Sequence, residues 1–164
     1  MSSLPSLKEV TEVYAVNPML FPSSGLWLWR PIYEKGVIGA GQTKEIYDRR
    51  ESGWINHVTM VCTNPDLKLC IDLEADGKIE IRISPRTLKY LGAVQRCAGV
   101  FNLLVYDDST PLYIGEYAPV SGGLGIPFRG RNRAWIENPS NVPVSFEVSV
   151  WLAIVKEPAT VLYL

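Results

Sequence analysis

The chain has 164 residues, 47% hydrophobic and 20% charged, with a formal net charge of −1. That is the size and composition of one ordered globular domain, able to bury about two-thirds of its unfolded surface. The near-zero charge excludes the long-range field that binding to nucleic acid or an anionic membrane would draw on.

The longest unbroken apolar run, residues 150–155, is too short to cross a bilayer. Met1-Ser2-Ser3-Leu4-Pro5 lacks the charged start and apolar stretch of a signal peptide, and Ser2 fails the myristoylation motif. A soluble protein made in the cytoplasm, with no membrane partner, is expected. Cys62, Cys70 and Cys97 are odd in number and share no C-x-x-C spacing, so reduced, structural thiols are expected.

Residues 1–25 read as an N-terminal arm and 26–164 as a β-sandwich domain. The arm is punctuated by Pro5, Pro18 and Pro22, yet it carries Leu4, Leu7, Val10, Val13, Val16, Leu20 and Phe21. Val10, Glu12, Tyr14 and Val16 fit one face of a strand, and Leu7, Val10 and Tyr14 fit a short helix. The β-branched content favours the strand. Leu26-Trp27-Leu28-Trp29 is apolar on both faces and implies cover on both sides. Gly36, Gly39 and Gly41 then argue for a loop or irregular edge.

Residues 54–62 predict a strand with Val58, Met60 and Cys62 inward and Ile55, His57, Thr59 and Val61 outward, ended by Asn64-Pro65-Asp66. Over 67–83, Leu67, Leu69, Ile71 and Leu73 alternate with polar residues, and Ile79, Ile81 and Ile83 resume the alternation. A period of two means strands with one apolar face each. Opposed residues share a face, so Leu73 must oppose Ile79, Ile71 must oppose Ile81, and Leu69 must oppose Ile83. Glu74 and Lys78 then close a three-residue loop, Ala75-Asp76-Gly77, with Gly77 expected in the left-handed region.

Ser84-Pro85 reads as N-cap and first helical residue, with Leu88 and Leu91 on one side and Gly92 as terminator. Strands are predicted over 101–106 and 112–117, with a turn between them, and a loop over 119–125. A short strand over 134–137 leads into an Asn138-Pro139-Ser140-Asn141 turn. The last strand puts Val142, Val144, Phe146, Val148, Val150, Leu152 and Ile154 on one face. Its other face turns apolar at Trp151, Ala153 and Val155. The expected fold is all-β: an antiparallel two-sheet sandwich, jelly-roll-like, with one short helix.

No catalytic, metal or cofactor-binding residue is assigned. His57 is the only histidine, which removes multi-histidine metal sites, and no G-x-S-x-G elbow accompanies it. Asp72-x-Glu74-x-Asp76-Gly77 resembles the opening of a calcium loop, but Ile83 stands where a bidentate Glu is required. Glu74, Glu80, Glu116 and Glu147 read as the wet side of strands rather than a hydrolytic pair. Arg129, Arg131 and Arg133 form the one compact basic run and are the candidate polar-ligand loop. Trp27, Trp29, Trp151 and Val155 are the candidate subunit interface, because apolar side chains stand there where a strand should be wet. The arm lying across a neighbour would link subunits into a closed cyclic assembly such as a trimer; the alternative is an arm folded back over its own sandwich.

Over residues 53–155 the order of features resembles small β-sandwich virion proteins of tailed bacteriophages and related viruses. The features are Ser52-Gly53-Trp54-Ile55, the Asp76-Gly77 hairpin, Ser84-Pro85 with Leu88 and Gly92, Tyr106-Asp107, Pro127-Phe128, and Ile136-Glu137-Asn138 leading into the last strand. The resemblance implies capsid decoration or a tail or fibre component, built as a homo-oligomer with other virion proteins as partners. The chain would be made in the host cytoplasm and end in the virion. It supplies no catalytic residues. The alternative reading is a carbohydrate-binding module, with tryptophans and tyrosines as a glycan-stacking face; a hydrolase on the same sandwich is the third.

Overall fold

The computed structural model describes residues 13–15, 27–92, 101–119 and 125–155, with backbone alone at 13–15 and 27. Nine strands and one helix lie among them: β1 (Val13–Ala15), β2 (Trp27–Ile38), β3 (Thr43–Cys62), β4 (Lys68–Glu74), β5 (Lys78–Ile83), α1 (Pro85–Tyr90), β6 (Phe101–Asp107), β7 (Leu112–Tyr117), β8 (Ile126–Glu137) and β9 (Val144–Val155).

Every strand pairing is antiparallel. The 20-residue β3 organises them. Its first part, Thr43 to Ile55, pairs with β8, which pairs with β4, which pairs with β5. Its last part, Gly53 to Cys62, pairs with β9 on one edge, and Val58 to Cys62 pair with β7 on the other. β9 carries β2 and β1 beyond it; β7 carries β6. Counting β3 as two strands gives a short sheet (β3 start, β8, β4, β5) and a long sheet (β1, β2, β9, β3 end, β7, β6). These orders are those of a double Greek key, the jelly roll, with two consecutive strands merged into one.

Gly53 is where β3 passes from one sheet to the other, paired to Phe128 on one edge and to Ile154 on the other. A Cβ there would lie 2.1 Å from the carbonyl oxygen of Ala153. Only glycine lets the two backbones come this close.

One apolar cluster fills the space between the layers. β9 contributes Val144, Phe146, Val148, Val150, Leu152 and Ile154; β3 contributes Tyr47, Ile55, Val58, Met60 and Cys62; β4 contributes Leu69, Ile71 and Leu73. At the flank between β2 and β3 charged side chains take over, half-buried at Arg30 and Glu51 and more exposed at Lys44 and Glu34. Arg30 pairs with Glu51, and Lys44 with Glu34 at 3.0 Å. The Tyr47 hydroxyl donates to the fully buried Asn132 at 2.8 Å.

The β4–β5 hairpin has the expected register at every pair, with Glu74 opposite Lys78 closing its loop. The expected backbone at Gly77 is not found. Gly77 is not among the glycines at positive φ, and a Cβ added there meets open space. The turn closes instead through the Ala75 N–H donating to the Gly77 carbonyl at 2.8 Å. The glycine of left-handed backbone in this sheet is Gly130 on β8, with φ at 109°. The Glu74 carboxylate occupies the place of its missing side chain and accepts the Arg131 N–H at 2.9 Å.

Helix α1 starts as predicted: Ser84 accepts the Thr87 N–H and Pro85 opens the first turn. Leu88 is buried against Gly115, whereas Leu91, expected beside it, is exposed because it sits at the C-cap. A bulge between Ile55 and His57 also corrects one face. Ile55 points into the core, and His57 begins the outward row that Thr59 and Val61 continue.

Candidate contact face

Opposed pairs assemble the outer face of the long sheet. Trp27 stands opposite Val155, Trp29 opposite Ala153, Pro31 opposite Trp151, and Tyr33 opposite Ser149. Across β9, Trp151 is opposite His57 and Ser149 opposite Thr59, and Thr59 is in turn opposite Glu116 on β7. The face therefore holds a row Pro31–Trp151–His57 beside a row Tyr33–Ser149–Thr59–Glu116. All four candidate interface positions fall on neighbouring β2 and β9, in consecutive opposed pairs.

Large apolar side chains stand on this face among its polar ones. Tyr33 is 55% exposed, Trp151 42% and Val37 65%. Tyr33 and Trp151 are diagonal neighbours, within reach of each other's rings on a sheet. The face continues into a groove of about 470 Å³ lined by Lys35, Val37, Val61, Thr63, Leu112 and Glu147. The Tyr33 hydroxyl donates to Glu147 at 3.0 Å, and that bond raises its pKa. His57 Nε2 lies 2.8 Å from Glu116 Oε1, with the histidine 30% and the carboxylate 9% exposed at the side chain.

The arginines predicted as a loop are on a strand. Arg129, Arg131 and Arg133 belong to β8 and project from the outer face of the short sheet, alternating with the inward Phe128, Asn132 and Ala134. Two are engaged by their own chain. Arg131 forms a two-pronged pair with Asp48 at 3.0 and 2.6 Å, and that hydrogen-bonded guanidinium holds the Asp48 carboxyl below its usual range. Arg133 reaches Glu45 at 3.3 Å and lies over the Trp135 ring. The strand signal was present, since arginines at every second position alternate with core residues, but Gly130 masked it.

The remaining groups have structural roles. Cys62 and Cys70 are buried free thiols, and burial pushes both pKa values up to about 12. Cys70 is opposite both Arg82 and Trp135 in the register, and the Arg82 guanidinium stacks over that tryptophan. Asp72, Glu74 and Asp76 stay in the hairpin, and among the described residues no three His, Cys, Asp or Glu come together as a metal site. Cys97 and the greater part of residues 1–25 lie outside the described residues. Among the described residues no helix is long and apolar enough to cross a membrane.

Pro31 and Tyr33 join this face beyond the four expected positions, and Glu116, expected on the wet side of its strand, is on this side but buried. Pro31 and Tyr33 follow Trp29 at a period of two, a signal that was present in the sequence; the His57–Glu116 pairing is a property of register and has no signature in sequence. Compared with family models and with curated proteins, the chain matches none.

Proposed function

We propose that this chain is a non-enzymatic structural protein, a virion component, that works by protein–protein contact through the outer face of the long sheet. The observation that carries the reading is the set of exposed apolar and aromatic side chains on the outer side of β2 and β9, Tyr33, Val37 and Trp151, with the half-buried Trp29 on the same side. Apolar exposure of this kind on a sheet face marks a surface that a partner covers. The jelly roll is a fold that viral capsid domains use, which agrees with the resemblance of residues 53–155 to small virion proteins. Because two-fold and cyclic homo-oligomers are the commonest assemblies, a closed ring of copies, such as a trimer, is the form proposed. Native mass measurement on the full chain tests this: an oligomer is expected, and a monomer at micromolar concentration and above would contradict it.

One observation favours carbohydrate binding as the second reading. Trp151 and Tyr33 are exposed aromatic neighbours, and the His57–Glu116 pair, Thr59 and Ser149 stand beside them as hydrogen-bonding groups for hydroxyls. A glycan array separates the two readings. Retention of a glycan that Trp151→Ala abolishes, from a protein that stays monomeric, would support this one over assembly.

A further inference from the structure

Residues directly opposed in a ladder share one side of the sheet. On the outer side of the short sheet, β3 and β8 therefore place Asp48 beside Arg133, Arg50 beside Arg131, Ser52 beside Arg129, and Trp54 beside Pro127. Most of the charge on this side is matched within the chain. Arg131 occupies both oxygens of Asp48, Arg133 reaches Glu45, and Arg82 reaches Asp72 and Glu80. Arg50 and Arg129 are exposed, and among the described residues neither has such a partner. Arg50 also stands directly opposite Arg131, and like charges in that position cost a sheet stability.

Arg50 and Arg129 are diagonal neighbours across the ladder, a spacing that side chains as long as arginine can close. A carboxylate set between them accepts from both guanidiniums, and charge-assisted hydrogen bonds of this kind are the strong ones. The pairing of Arg131 with Asp48 shows the same chemistry one position away.

Beside these arginines lies a cleft of about 180 Å³, lined by Ser52, Arg129, the half-buried Trp54 and Val155, the exposed Pro127, and Asp76 of the hairpin loop. Among the described residues Asp76 makes no ion pair with Arg129. It repels an incoming acid, so the carboxylate belongs on the Arg50 side and the apolar lining suits the side chain next to it.

We propose that Arg50 and Arg129, with the cleft between Ser52, Trp54 and Pro127, form a second contact site that takes an acidic segment of a partner protein. One carboxylate lies over the two arginines and a neighbouring apolar side chain enters the cleft. A guanidinium fork suits carboxylate and phosphate alike. The apolar lining and the chain's net charge of −1 favour a peptide over a nucleic-acid backbone, whose binding draws on many cations at once. The site stands apart from the apolar face of the long sheet, and the inference holds whether or not that face joins copies of the chain.

Two measurements on the full chain test it. The first is an NMR titration with a short acetylated glutamate-rich peptide carrying a single leucine, beside inorganic phosphate, at about 0.15 M salt. Saturable shifts are expected with the peptide, at amides of residues 50–54 and 127–131. Arg50→Gln and Arg129→Gln should each weaken binding about tenfold. Arg86→Gln, which removes an arginine of α1 already paired with Asp66, should leave it unchanged. No saturation, or no weakening from Arg50→Gln and Arg129→Gln, would overturn the site. Equal weakening from Arg86→Gln would reduce the binding to general charge attraction and overturn it as well. Saturation by phosphate and not by the peptide would overturn the acidic segment in favour of a phosphate group. The second measurement is urea unfolding of Arg50→Gln. Relief of the opposition to Arg131 should leave its midpoint equal to the parent's or higher; a clear fall would give Arg50 to the fold and overturn its assignment to a partner.

Discussion

Two glycines separate what a turn permits from what a crossing demands. Gly53→Ala would drive a Cβ to 2.1 Å from a backbone oxygen that belongs to a central strand and has no rotamer to yield. A loss of about 3 kcal/mol or more is expected, at the high end for overpacking. Gly77→Ala meets open space on ordinary backbone and should stay within about 0.5 kcal/mol of the parent. Urea unfolding of both variants checks the contrast, and equal losses would place the strain in the hairpin rather than at the crossing. The thiols give a second residue-scale outcome. With pKa values pushed up to about 12, Cys62 and Cys70 are protonated at neutral pH and should react with a thiol reagent only as the chain unfolds. Labelling of either in the native protein, at the rate of a free thiol, would contradict their burial.

At the scale of elements, legibility followed alternation. The β4–β5 hairpin and β9 were readable to the residue because each keeps an apolar row against a polar one. The first half of β3 was not, because its inner side at the flank carries Lys44, Arg49 and Glu51, leaving no apolar period to detect. β8 was hidden for the opposite reason: its arginines drew attention to charge and its glycine to a loop. Phe146→Ala should therefore cost about 3–5 kcal/mol, through lost burial and an unfilled cavity, while the outward Glu147→Ala stays within about 1 kcal/mol. Chemical denaturation reads both. Asn138 was read only as part of a turn, yet it ties two turns together. Its amide donates to the carbonyls of Ile38, Gly39 and Val142, and its oxygen accepts from Ser140. Asn138→Ala strands those buried groups and should cost about 1–3 kcal/mol, measurable as a fall in melting temperature. Acid acts on β8 and β3 through Asp48. Its pKa is lowered in the folded state, so its stabilisation is present above the ordinary carboxylate range and is lost as pH falls below it. Asp48→Asn should flatten that part of the acid-unfolding profile.

For the whole molecule, the jelly roll follows from a single long strand that serves both sheets, and the outcome is two outer faces of different character. The short sheet turns a lattice of paired charges to solvent: Arg131 with Asp48, Arg82 with Asp72, Arg133 with Glu45. The long sheet turns out Trp151, Tyr33 and Val37 instead. Trp151, which carries part of this asymmetry, was legible as a misplaced apolar position, as were Trp29 and Val155 beside it; that β2 and β9 lie side by side was not, because they are more than a hundred residues apart in the chain. The central claim is that the apolar face holds copies of the chain together. Sedimentation velocity across a range of concentrations, on the parent and on Trp151→Glu, tests it most directly. The parent should sediment as a closed oligomer and the variant, carrying a charge at the centre of the face, as a folded monomer; a parent that is monomeric throughout, or an oligomer that Trp151→Glu leaves intact, would contradict it.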